Sequence, residues 1–311
     1  MATQRLPRWS RAPVEIKLVC EIAADYVAAV RYHQDSVDAW AVRPLPPGVV
    51  RPAPVAENIP DTTPILQTLK QVVDAVADGQ QRCALLVPDL LARVAILDID
   101  HWPAKPEEAD GLLRWRLKKD LPFDVAQAVL SYQVQSGRGA YEVVAVACLQ
   151  SLLRQYEQCA EVLGQHPGWV TLSTLAAVGC LPSPSAADGA PGQLLVKRDQ
   201  TSLSLAILQG TAVRLFRSLP LTASASAGGQ QALFEKLYPA VVYFQDQWGE
   251  PIREVLLVGF DDVVTSLSQQ FESEIGSPAR LFDAGAHVPS RGEGLDHRLA
   301  ACLGWVQGEA G

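Results

Sequence analysis

The chain has 311 residues, 48% of them hydrophobic, and a net charge of −8 from 26 Lys and Arg against 34 Asp and Glu. That length buries a large core and suggests two domains, while the acidic balance and the absence of any Lys/Arg run exclude nucleic acid, whose binding is dominated by clustered positive charge. No apolar run approaches the roughly 20 residues that cross a bilayer, and no secretory apolar stretch follows the basic start, so the chain is expected to stay in the cytoplasm.

Residues 1–13 read as a disordered basic tail, whose Arg5, Arg8 and Arg11 beside Trp9 make at most a weak tether to anionic lipid at about 1 kcal/mol per charge. From Val14 to about Trp40 the apolar runs EIKLVCEI, YVAAVRY and VDAWAVRPL predict a three-stranded antiparallel meander. Pro44 to Pro60 is proline-rich and irregular. Thr63 to Asp78 repeats apolar residues with helical period behind Pro64, and CALLVPD and ARVAILDI predict strands. Pro106 to Asp120 is acidic at its start and basic at its end, the order that a helix dipole prefers. QAVLSYQVQ and YEVVAVACL flank Gly137-Arg138-Gly139 as a hairpin, so this GxG is not a dinucleotide fingerprint, which needs a helix after it. Ser151 to Gly164 and WVTLSTLAAVGCL both read as helices, and Pro182 to Gly192 as a linker. Leu194 to Leu221 reads as two strands joined by a Gly turn. Beyond the low-complexity TASASAGGQ come a helix to Trp248, strand EVLLVGF, helix Val263 to Ile275, strand PARLFD and a last helix near Leu295 to Val306. The alternation of strands and helices means an α/β sheet with helices on its faces.

Chemistry-bearing patterns are sparse. The six cysteines form no CxxC pair and the five histidines no i, i+4 pair, so no zinc site is expected. Asp98 and Asp100 alternate on a strand beside His101 and present two carboxylates to one side, a start for a divalent cation that lacks further ligands; a solvated strand end is the plainer reading. No G-x-S-x-G elbow is present.

Several segments together resemble a known family. Pro106 to Gln133, with a helix that closes on Leu121-Pro122-Phe123 before a strand, resembles the signature stretch of the PilM family, the actin-like cytoplasmic proteins of type IV pilus assembly. Glu21 to Val27 resembles that family's first phosphate loop, Leu194 to Leu221 its second, and Ile252 to Asp283 its adenosine-contacting unit. The resemblance implies an α/β, two-lobed actin-like fold of the actin, Hsp70 and sugar-kinase superfamily. Its first lobe spans 14–181 with a small subdomain inserted at about 84–150, a linker covers 182–192, and a reduced second lobe spans 193–311.

The departures from the family pattern imply a vestigial nucleotide site. Glu21 replaces an Asp, Ala23 a Gly and Ala28 a Lys in the first loop, which also carries Asp25. Lys197 replaces an Asp in the second, where Lys197, Arg198, Asp199 and Gln200 hold no glycine, although cradling a phosphate requires backbone N–H groups unobstructed by Cβ. Only Gly259 remains of the paired glycines in the adenosine turn, and about fifty residues of a covering subdomain are missing against the family pattern. The expectation is a chain with no cofactor and no ATP hydrolysis. Its cleft is expected to be open and wet, with Lys197, Asp199 and Asp261 meeting at the mouth in a surface salt bridge. By the same resemblance its partners are the cytoplasmic N-terminal tail of a PilN-like inner-membrane protein and the pilus motor ATPases, at the inner face of the inner membrane. Arg114, Trp115 and Lys118, with Phe123 in a half-buried corner, are the candidate partner-binding residues. The alternatives are the cytoplasmic actin-like part of a GspL-type secretion protein and a divergent actin-like ATPase or sugar kinase.

Overall fold

A computed structural model describes residues 16–34, 36–135, 140–182, 190–221, 229–260, 264–287 and 294–310. The basic tail, the Gly137-Arg138-Gly139 turn, most of the linker, the TASASAG segment and Asp261 lie outside the described residues.

The chain opens as the expected meander: β1 (Leu18–Ile22), β2 (Tyr26–His33) and β3 (Ser36–Pro44). Helix α1 (Thr62–Val76) follows, capped by Asp61, whose side chain accepts from the Thr63 amide. It buries Ile65, Leu69, Val72, Val73 and Val76, one stripe of a 3.6-residue period. Strand β4 (Arg82–Val87) lies parallel to β1, and β8 (His166–Leu172) parallel to β4, so the first sheet has the order β3-β2-β1-β4-β8. Between β4 and β8 the chain inserts β5 (Ala92–Ile99), α2 (Pro106–Leu117), β6 (Ala128–Gln135), β7 (Tyr141–Leu149) and α3 (Gln150–Glu161). Strands β5-β7-β6 form a separate antiparallel sheet. Since β4 belongs to the main sheet, the insert begins after Val87 rather than near residue 84.

WVTLSTLAAVGCL, expected as one helix, is split. Its first part ends β8, and only Ser173–Ala177 is helical, as α4, followed by a tight turn at Val178–Cys180. A short continuous apolar run has no period that separates a buried strand from a buried helix, and the β-branched and aromatic residues of Trp169-Val170-Thr171 decide for the strand.

The second lobe repeats the first. Leu194 to Leu221 holds three strands, not two: β9 (Gly192–Arg198), β10 (Ser202–Gln209) and β11 (Ala212–Pro220). The missed turn contains no glycine because Asp199 closes it from its side chain, accepting from the Thr201 and Ser202 amides and from both hydroxyls. Helix α5 (Gly229–Trp248), β12 (Ile252–Val258), α6 (Val264–Ile275), β13 (Ala279–Leu281), the short α7 (Ala284–His287) and α8 (Ala300–Ala310) complete it. The second sheet runs β11-β10-β9-β12-β13, the same topology as the first.

Each sheet is covered on both sides. Leu18, Cys20 and Ile22 of β1 face α1 and α3 on the outside, and Leu194 and Val196 of β9 face α5 and α6. Val19, Ala28, Leu86, Leu195, Ala206 and Leu256 face inward, onto one shared core with α4 and α8. The last helix, expected within the second lobe, thus sits between the lobes against α4. The approach is close enough that a Cβ on Gly179 would lie 2.0 Å from the Gly304 carbonyl oxygen. Two sheets of like order, with helices outside and between them, make the fold the two-lobed α/β actin-like one.

Candidate functional site

The β1–β2 turn and the β9–β10 turn meet where the two lobes face each other, and their residues interlock. Lys197, expected at an open cleft mouth in a surface bridge with Asp199 and Asp261, is instead 5% exposed and ion-paired at 3.2 Å with Glu21, which is fully buried. The same Glu21 oxygen accepts from the Tyr26 hydroxyl at 3.1 Å and from Ser173 at the start of α4. Burial alone would pull the Lys197 pKa down, but Glu21, Tyr26, Asp199 and Asp89 together hold it well above the ordinary lysine value, so it is a cation here. Pattern along the chain cannot show that a strand of the other lobe aims a carboxylate at Lys197.

The rest of the site follows the same logic. Asp89, directly after β4, is buried and accepts from the Thr174 amide and hydroxyl, which ties the strand end to α4. Burial raises its pKa, against the lowering effect of Lys197 and Thr174. Asp25 is raised by burial and by Asp199, against Lys197. Arg298, held by Asp296 at 2.6 Å, lies 5.8 Å from the centre of the Tyr26 ring. Ala23 is buried in the shared core, so its methyl fills the space in which a glycine would leave backbone N–H groups open to an anion, and Ala28, where the family pattern has a Lys, is buried there too and supplies no cation. Gly259 has a local reason to be glycine. Its φ is +80°, and a Cβ would lie 2.3 Å from the Arg198 carbonyl oxygen. Arg198 in turn donates to the Gly259 carbonyl and lies 4.9 Å from the centre of the Phe260 ring.

The structure therefore brings Glu21, Asp25, Lys197 and Asp199 together, with Gly259 beside them through Arg198. Sequence reasoning missed Tyr26, Asp89, Ser173 and Arg298. Asp89 and Ser173 do carry a signal, each being a polar residue just past the C-terminal end of one of the parallel strands β4 and β8, the usual position of ligand-contacting residues in open α/β sheets.

A second feature lies between the inserted sheet and the first lobe. Leu113 and Leu117 of α2 pack on one face of the inserted sheet, against Ala145 and Ala147. Register places Val129 opposite Cys148 and Ser131 opposite Val146, on the other face. There they line an apolar groove of about 90 Å³ with Trp169 to Leu172 of β8, Leu153 and Leu175. Strands β6 and β8 are each the edge of their sheet among the described residues. Gln133, two residues beyond Ser131 on the same face, has a buried side-chain carbonyl with no hydrogen-bond partner among the described residues.

Of the α2 candidates, Arg114 is committed to structure, donating to Asp110, Val125 and Ala128. Phe123 is half-buried, Lys118 exposed, and Trp115 70% exposed on the side of α2 away from the groove. Asp98, Asp100 and His101 are exposed at the end of β5.

No family model and no curated protein matches this sequence. Solved structures do match it in fold. The chain of the PilM-PilN type IV pilus biogenesis complex is similar with a TM-score of 0.76 at 17% identity, over 95% of this chain and 99% of that one. The cytoplasmic domain of EpsL, an inner-membrane component of the type II secretion system of Vibrio cholerae, is similar with a TM-score of 0.52 at 13% identity, over 92% of this chain and 93% of that one.

Proposed function

We propose that this chain is a non-catalytic scaffold of a type IV pilus or related secretion platform, which receives the cytoplasmic tail of a PilN-like inner-membrane partner and so works at the inner face of the inner membrane. The observation that carries this reading is the apolar groove between two edge strands. An extended peptide entering it can bond its backbone to β6 or β8 and place alternate side chains against Val129, Val146 and Trp169. The likeness in fold to PilM, solved in complex with PilN, supports the choice of partner, and the weaker likeness to EpsL makes the GspL-type role the second choice.

Absence of catalysis rests on the interlobe site. A bound triphosphate needs cations and free N–H groups facing it, whereas the Lys197 ammonium is neutralised by Glu21 and the first turn is closed by buried alanines. Trp115 and Lys118, exposed on the far side of the inserted sheet, are assigned to a second cytoplasmic component such as a motor ATPase.

The test is a titration with a synthetic peptide of the N-terminal cytoplasmic segment of the PilN-like protein from the same genome. Binding is expected, with a loss of at least about tenfold, or 1.4 kcal/mol, on Val129→Asp, and no change on Trp115→Ala. A peptide that fails to bind the parent chain, or binds Val129→Asp equally well, contradicts the reading.

A further inference from the structure

The lobes are joined by two sets of side-chain bridges at opposite ends of the second sheet. One is the buried Glu21–Lys197 pair at the end of β9. The other lies at the start of β11. Gln135, the last residue of β6, donates to the Val213 carbonyl at 2.7 Å and accepts from the Val213 amide at 3.0 Å, so its side-chain amide imitates a neighbouring strand. Beside it Arg214 donates to Glu142 at 2.7 Å, with both side chains largely buried, and Gln135 also donates to Glu142. Register separates the two sets: Lys197 lies opposite Ser204, whereas Val213 lies opposite Leu208, which is opposite Gln193 at the other end of β9.

We propose that these bridges are a built-in clasp that holds the two lobes closed without any ligand in the cleft, and that the clasp fixes the position of the inserted sheet and hence the width of the groove. The second set connects β6 and β7, the strands that carry Val129 and Val146, directly to the second lobe. Any opening of the lobes therefore pulls on the groove wall. The Glu21–Lys197 pair suits a clasp because it is tied into a set of polar partners, Tyr26 and Ser173 on Glu21 with Asp199 and Asp89 near Lys197, so that separating it breaks several contacts at once, which makes closed and open discrete states rather than a continuum. The consequence for tail binding rests on the scaffold reading; the clasp itself does not.

The experiment measures the distance between spin labels on Val162→Cys in the first lobe and Tyr243→Cys in the second, in the full chain. Both positions are exposed, and the six native cysteines are buried and out of reach of the label. The parent chain is expected to give one narrow distribution that Mg-ATP leaves unchanged. Lys197→Met combined with Arg214→Ala is expected to give a longer mean and a wider spread, with weaker tail-peptide binding. Should that variant not fold, Glu21→Gln with Lys197→Met, Glu142→Gln with Arg214→Met, and Gln135→Ala together remove both sets of bridges while leaving no orphan charge at either pair. An unchanged distribution in whichever folded variant is measured overturns the clasp, as does shortening of the parent distance by Mg-ATP. If the distances behave as expected but the peptide binds no form of the chain, the scaffold reading fails and the clasp stands.

Discussion

Lys197 and Glu21 set the energetics of the interlobe site at the scale of single residues. Deleting one member of a buried ion pair strands the other, which costs about 3–5 kcal/mol, whereas replacing both with neutral groups of similar size is often close to neutral. Lys197→Met should therefore lower the unfolding free energy by about that amount in urea titration, and adding Glu21→Gln should recover most of it. A single variant as stable as the parent would show that the pair is not buried in solution. The raised Lys197 pKa puts its contribution fully in place below the unfolded value of about 10.4, to be lost only as pH rises through the native one, so the pair is insensitive to pH in the neutral range. Asp25 behaves oppositely. Its pKa is raised by burial and Asp199, so the folded chain holds the proton more tightly than the unfolded one, and stability falls as pH rises from about 3.9 through the native value. Asp25→Asn should raise the melting temperature at pH 7, with the gain fading as native Asp25 becomes protonated; calorimetry that finds a lower melting temperature at pH 7 contradicts this. The sequence marks Lys197 as an oddity in its turn, but burial of the residue depends on a partner 176 positions earlier in the chain.

At the scale of elements, the crossing of α4 and α8 and the two faces of the inserted sheet carry the architecture. Gly179 and Gly304 let the backbones touch, and no rotamer relieves a Cβ placed 2.0 Å from a carbonyl oxygen. Gly179→Ala should cost upwards of the 1–3 kcal/mol typical of overpacking; a loss below about 0.5 kcal/mol by denaturant titration would mean that the helices separate readily. Trp115→Ala, by contrast, should leave stability within about 0.5 kcal/mol, since the ring is 70% exposed. Elements with strong local signals were legible: the meander, α1 with its Asp61 cap, α2 with its charge order, and α3. What failed were elements set by tertiary context. β8 reads as helix because a short continuous apolar run has no period that separates strand from helix, and the β9–β10 turn was passed over because Asp199 closes it in place of a glycine. The two faces of the inserted sheet follow from its alternation, but the groove exists only because β8 lies opposite one of them, which no local pattern encodes.

At the scale of the whole molecule, two sheets of like order close around α4 and α8, and the chain's own side chains occupy the space between the strand ends. The two lobes were implied by the resemblance in the loops; their like strand order was not legible, and the expected open, wet cleft is replaced by a buried ion pair. The most direct measurement is calorimetric titration of the parent chain with Mg-ATP. No saturable heat is expected, corresponding to a Kd no tighter than about 1 mM or a binding free energy no better than about −4 kcal/mol. Saturable binding near 1 μM, about −8 kcal/mol, would mean that Lys197 leaves Glu21 to meet phosphate, and would contradict the account of a scaffold that works without nucleotide.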